Sequence, residues 1–283
     1  MFSAWFVYGP QALDDYKHGV YPAYQFAAGL PLELPDYRSP LLVWVLGLCA
    51  RLVGLFGVHS ALGQVRSMYI GLAMISLLAV VGTYHYARVQ RSRLLGALLV
   101  YLTALFPLMP FVGTRAFGEA VALAFVTFGF GLLEEARHQQ IRALRPWLMG
   151  FLSLGVATLF RYHAGLLFVS YAAVLIFLRL GRGVLAAMLA GIITLAAQLV
   201  IDALSGRPWM GTLLAYLAAN EGGAAQYGVS PWYNTWAFAS VVLLAPFSFV
   251  LFGHWRALWS RQWPVLASWV LFVLAHSLVP HKE

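Results

Sequence analysis

Two adjacent carboxylates, Asp14 and Asp15, stand in an aromatic stretch over residues 12–26 of a chain with only ten acidic residues in 283. A carboxylate in that setting is either part of a solvated polar loop or a general base, able to take a proton from an acceptor hydroxyl. Other ionisable groups recur in short clusters. Arg115 and Glu119 are spaced i, i+4, which suits a helix-end ion pair worth a few tenths of a kcal/mol or a place in a site. Phe160-Arg-Tyr-His163 falls in a turn between two apolar runs, where Arg161 and His163 can anchor an interface or meet a ligand. Asp202 can be a solvated cap or can hold a neighbouring Arg. Tyr227, Trp232 and Tyr233 punctuate a stretch of small residues, which suits sugar stacking or an aromatic membrane belt. His276, His281, Lys282 and Glu283 put four ionisable groups into eight residues.

These residue types suit group transfer from a phosphate-activated donor. One carboxylate pair would activate the acceptor, and Arg, Lys and His would stabilise charge growing on the phosphate leaving group. Metal chemistry is disfavoured. Cys49 is the only cysteine, so a Cys-based zinc cage is excluded, and the two histidines at i, i+5 share a helix face poorly.

The elements that must position these groups are apolar. Hydrophobic residues make up 61% and charged residues 10%, against roughly 45–50% and 25% in soluble domains. Mean hydropathy is +0.77. The expected fold is an all-α polytopic membrane bundle in a single domain over 1–283. Runs at 67–87, 95–112, 117–133, 147–160, 164–178, 184–201, 234–252 and 264–279 can span or nearly span a bilayer. An 18-residue helix reaches ~27 Å. The net charge of +8 is scattered in short loops, which topology explains better than nucleic acid does. Residues 1–8 are too short for a signal peptide and resemble the tail of a transmembrane helix whose beginning is missing.

Ten of the eighteen Lys and Arg follow the first, third, fifth and seventh runs, so those loops are expected in the cytoplasm. Eight of the ten acids fall on the other side, with Glu134 and Glu135 the exceptions. Residues 40–56 form one more apolar run. Were it to cross, every later loop would change side, and Arg51 would enter the bilayer at about 2.5–3.5 kcal/mol. It is therefore expected to lie along the outer interface, after an acidic outer-face loop over 1–39.

With these motifs in view, the chain resembles the membrane mannosyltransferases that use dolichyl- or polyprenyl-phosphate mannose, in the GT-C class. Leu13-Asp-Asp-Tyr-Lys-His18 matches in position the acid pair of that family's first outer loop, with Asp for Glu and His for Gln. Glu33 and Arg38-Ser39 match an acid followed by Arg-Ser ahead of an apolar helix. Thr114-Arg115 with Glu119 resembles an outer Thr-Arg motif, and Arg161-Tyr162-His163 partly meets an Arg-Pro-Thr turn. Tyr227-Gly-Val-Ser-Pro-Trp-Tyr233 and the ending His276-Ser-Leu-Val-Pro-His-Lys-Glu283 are the most specific matches. The family continues beyond that ending, so the resemblance implies a fragment open at both ends.

The resemblance implies a GT-C-like helical bundle that performs inverting transfer of mannose to a glycan or glycolipid acceptor at the extracytoplasmic face. That face is periplasmic in a bacterial inner membrane or lumenal in the endoplasmic reticulum. It implies Asp14 as general base and Asp15 as helper, with Arg115, His281 and Lys282 holding the lipid phosphate. Arg38, Glu119, Arg161, His163, Tyr227, Trp232, Tyr233, His276 and Glu283 complete the expected substrate-binding set. No cofactor is implied, because the lipid-phosphate sugar is itself the donor. Two alternatives stay open: a GT-C transferase for another sugar such as arabinose, and a transporter or flippase of lipid-linked sugars. Transporters place ionisable groups near the midplane, whereas the charges here collect at one end of the helices.

Overall fold

A computed structural model describes residues 16–32, 34–89, 93–105, 116–227, 233 and 255–277. Those residues are helical almost throughout and contain no strand. The segment expected as an acidic loop is itself partly helical. A π-helical turn, Tyr16–Val20, runs into α1, Tyr21–Ala28, which starts with Pro22 in its first turn. Proline is tolerated there because its missing N–H would have no intrahelical partner. Gly29, at φ 71°, ends α1 with a left-handed cap, and Leu30 N–H reaches the Gln25 carbonyl.

Helix α2, Leu41–Leu55, packs back on α1, burying Leu42, Val43, Leu46 and Ala50. Arg51 lies over the Phe26 ring at 4.3 Å and donates to the Phe26 carbonyl at 2.6 Å, so its charge meets the negative end of α1. Helix α3, Ala61–Ala87, begins with Ser60 accepting from Gly63 N–H. A Cβ on Gly71 would sit 2.6 Å from Cys49 Sγ, which fixes how closely α2 crosses α3. Helix α4, Arg93–Leu105, covers the first part of the run expected at 95–112.

Helix α5, Gly118–His138, is central. It lies parallel to α3 and antiparallel to α6, Leu144–Phe160. Glycines make those approaches possible. A Cβ on Gly131 would overlap the Gly82 carbonyl of α3, and one on Gly129 would stand 2.8 Å from the Gly150 carbonyl of α6. Such backbone contact is how helices associate when no hydrophobic force separates them from lipid. A short 3₁₀ turn, Tyr162–Ala164, leads to α7, Gly165–Phe177, and then to α8, Gly181–Leu204.

Residues 211–227, expected within a long loop, form helix α9, Gly211–Tyr227. Its Leu- and Ala-rich start has strong helix propensity, while Asn220, Glu221 and the two glycines that follow break the apolar run. Helix α10, Trp255–Ser277, packs on α7, with Phe177 against Trp263 and His163 against Phe272. The run expected at 234–252 lies outside the described residues.

Among the described residues, two helices are long and apolar enough to cross a membrane: α3 with 27 residues and α8 with 24. Both turn large apolar groups outward, Met74, Leu77 and Val81 on α3 and Leu185, Met188, Ile192 and Leu195 on α8. Apolar faces of that extent do not suit water. The core has two centres. One joins α1, α2, α3 and the Glu119 end of α5, and the other joins α6, α7, α8 and its Glu134 end.

Candidate functional site

At the Glu119 end of α5, four stretches of chain and one side of α9 meet around an open cleft. It is lined by His18 of the π-helical turn; Tyr37, Arg38, Ser39 and Leu42 ahead of and on α2; and Gly118. Phe160, Arg161 and Tyr162 from the α6–α7 corner and Tyr216 of α9 complete the lining. Two glycines bring these stretches together. A Cβ on Gly19 would stand 2.6 Å from the Ala116 carbonyl, and one on Gly118 would stand 3.0 Å from the Phe160 carbonyl. A side chain at either position would push His18 or Arg161 off the rim.

The cleft is basic. Arg161 is mostly buried and forms an ion pair with Glu119, whose side chain stays 45% exposed. The Arg38 guanidinium lies 5.8 Å from the Tyr37 ring centroid, and its buried Nε has no hydrogen-bond partner. A phosphate placed here would meet donors from two separate arginines, the arrangement suited to a growing oxyanion. Tyr162 and Tyr216, with ring centroids 5.3 Å apart, form an aromatic wall of the kind that accepts a sugar face.

Behind that wall lies a polar network. Asp202, at the end of α8, is fully buried and is not a solvated cap. Its Oδ1 accepts from the Thr212 hydroxyl at 2.5 Å and from Gln198 Nε2 at 3.0 Å. Tyr162 donates its hydroxyl to Gln198 Oε1 at 3.2 Å. Burial, and then the Asp202 charge, push the Tyr162 phenol up to about 12, so it remains a neutral donor.

The fold thus gathers Arg38, Glu119 and Arg161, three of the residues expected from the sequence. His163 turns away to Phe272, and the exposed Tyr233 does not line the cleft. Asp14, Asp15, Arg115, Trp232, His281, Lys282 and Glu283 lie outside the described residues, as do the side chains of Tyr227 and His276. His18, Tyr162 and Tyr216 were not singled out as site residues. The first two sit inside motifs noted for other members, whereas Tyr216 carries no local signal. The Gln198–Asp202 pair at i, i+4 is a one-face signal on an otherwise apolar helix.

Residues 35–283 match the model of the Alg9-like mannosyltransferase family. No curated protein matches the chain, and no solved structure matches it.

Proposed function

We propose, because this chain belongs to the Alg9-like mannosyltransferase family and is a glycosyltransferase, that it moves mannose from a polyprenyl-phosphate donor to a glycan or glycolipid acceptor with inversion. One observation carries the donor reading: Arg38 and Arg161, far apart in the chain, converge with His18 on one open cleft. In this reading the two arginines bind the donor phosphate, joined by Arg115, His281 and Lys282. Asp14 is the general base. Asp14 and Asp15 directly precede the Tyr16–Val20 turn, whose His18 lines the cleft.

The acceptor hydroxyl gives its proton to Asp14 as its oxygen attacks the anomeric carbon from the side opposite the phosphate. The bond from that carbon to the phosphate oxygen breaks, and polyprenyl phosphate departs with one more negative charge. Cations already in place stabilise that charge without reorganising. Asp15 positions Asp14 or the acceptor, and Glu119 keeps Arg161 oriented.

Sidedness follows from the same frame. Arg88, Arg137, Arg142 and Arg182 gather at the Glu134 end of α5. Arg88 pairs with Glu135, and Arg182 bonds the Arg142 carbonyl. About 24 Å of helix separates Glu135 from Glu119. The positive-inside rule then puts the arginine end in the cytoplasm and the cleft on the extracytoplasmic face of a multi-pass bundle. Helix α2 belongs to the cleft side throughout. Leu42 lines the cleft, Cys49 meets Gly71, and Val58 meets Gly63 near the start of α3. That supports an interfacial helix, with Arg51 capped on α1.

The test uses membranes carrying the protein, polyprenyl-phosphate mannose and a panel of glycan acceptors. Asp14→Asn keeps size and polarity and removes the basic oxygen. Turnover should fall by at least about 10²-fold while donor binding persists. Normal turnover in Asp14→Asn would refute its role as base, and transfer from a different lipid-phosphate sugar alone would refute mannose.

A further inference from the structure

Arg207, at the corner between α8 and α9, takes no part in the steps above and is nine-tenths buried. Its guanidinium makes a fork of contacts. Nη1 donates to the Arg38 carbonyl at 2.8 Å and to the Thr212 hydroxyl oxygen at 2.9 Å. Nη2 donates to the Pro35 carbonyl at 3.2 Å, and Nε lies 3.7 Å from the exposed Asp36 carboxylate. Thr212 passes its own proton toward Asp202, so the buried carboxylate answers the Arg207 charge through one hydroxyl.

The two gripped carbonyls belong to the short turn that carries Tyr37, Arg38 and Ser39 to the cleft. Within that turn Arg38 N–H bonds Pro35 O at 3.0 Å. Before it, residues 30–32, 34 and 35 are not helical. Among the described residues, Arg38 itself has only the Tyr37 ring beside it and an unbonded Nε to orient it. Its direction is therefore set by its backbone, and its backbone is fastened by a residue 169 positions away. Arg207 is oriented inward by Thr212 and by the two carbonyls, and is not among the residues lining the cleft.

We infer that Arg207 is a positioning residue for the donor phosphate: anchored by Thr212 and Asp202, it grips the Pro35 and Arg38 carbonyls and so aims Arg38 into the cleft. The inference rests on reading the cleft as the donor-phosphate site. It goes beyond charge, because a lysine would supply the charge but not the fork.

The experiment compares Arg207→Ala, Arg207→Lys and Thr212→Val in the full chain in membranes, with polyprenyl-phosphate mannose as donor. Amide exchange over residues 36–39 is read in parallel. Loss of the charge-assisted bonds should raise donor KM about tenfold in Arg207→Ala, with acceptor KM unchanged and kcat much less affected. Arg207→Lys should recover only part of that loss, and Thr212→Val should fall between Lys and the native protein. Exchange should quicken at 36–39 and not across the bundle. The inference is overturned if Arg207→Lys behaves as the native protein, or if kcat and KM worsen together with exchange rising everywhere. Exchange that quickens at 36–39 in a protein whose native form does not use this donor would refute the donor reading alone. Unchanged exchange in Arg207→Ala would refute the grip alone.

Discussion

The two ends of α5 both carry glutamate and arginine, but they dispose of charge in opposite ways. At the Glu134 end the charges are closed in on one another. Glu134 is fully buried and accepts from Arg137 at 2.7 and 3.0 Å and from the Tyr171 hydroxyl at 2.6 Å, with His138 3.4 Å away. Beside it, Glu135 meets His85 at 2.5 Å, Arg88 at 2.8 Å and Gln139 at 3.2 Å. At the Glu119 end the carboxylate is half exposed, Arg38 keeps an unbonded Nε, and three basic side chains border empty space. A buried charge surrounded by fixed partners has little left to offer a ligand. A charge whose backbone is fastened while its side chain faces a cleft is prepared for one. The difference separates a structural clasp from a candidate binding site.

Three measurements would break or sharpen that contrast. The largest effect should come from the closed end. Glu134→Ala strands the charge of Arg137 in the interior, and losing one partner of a buried pair costs about 3–5 kcal/mol. Thermal unfolding in detergent should show that loss, while donor KM of the protein that remains folded should stay unchanged. A shifted donor KM would mean that the two ends are coupled. Next in size is Arg38→Ala, which should raise donor KM about tenfold through loss of a charged hydrogen bond and leave the melting temperature where it was. A clear drop in melting temperature with unaltered donor KM would make Arg38 another clasp.

The smallest effect concerns Tyr162, behind the open end. Tyr162→Phe removes the bond to Gln198 and should cost about 1 kcal/mol. Its folded pKa of about 12 exceeds the unfolded value of about 10. The folded state thus holds this proton more tightly, and the stability it contributes is complete below about pH 10 and lost as pH rises through about 12. The difference in phenolate absorbance between native protein and Tyr162→Phe should therefore emerge near pH 12. Emergence near pH 10 would show Tyr162 to be solvated and the network open.

Much of the bundle is legible in the residues because apolar runs and helix length are local properties. The stretches at 67–87, 147–160 and 184–201 each fall within a helix. The sorting of ten arginines into alternate loops needs only their order along the chain. Helix α9 was hidden because its apolar start runs into Asn220, Glu221 and two glycines, which read as a loop when hydropathy is the guide. In the site, Arg38, Glu119 and Arg161 were visible as polar groups at the edges of apolar runs. The Arg161–Glu119 partnership was not, since Arg115 four residues away suggested a partner for Glu119 and no acid near Arg161 suggested one for it.

By itself, then, the sequence determined an apolar helical chain with most of its arginines sorted to one set of loops and its mixed polar motifs to the other, because hydropathy and charge order act residue by residue. The tertiary structure alone decided which polar groups are sealed and which stay open. Whether Asp202 is a solvated cap or a buried anchor depends on α9 closing over it, and whether Arg38 faces a cleft depends on Arg207 reaching back to its carbonyl. Those outcomes turn on desolvation and on hydrogen bonds between distant segments, and neither is a property of any local stretch of residues.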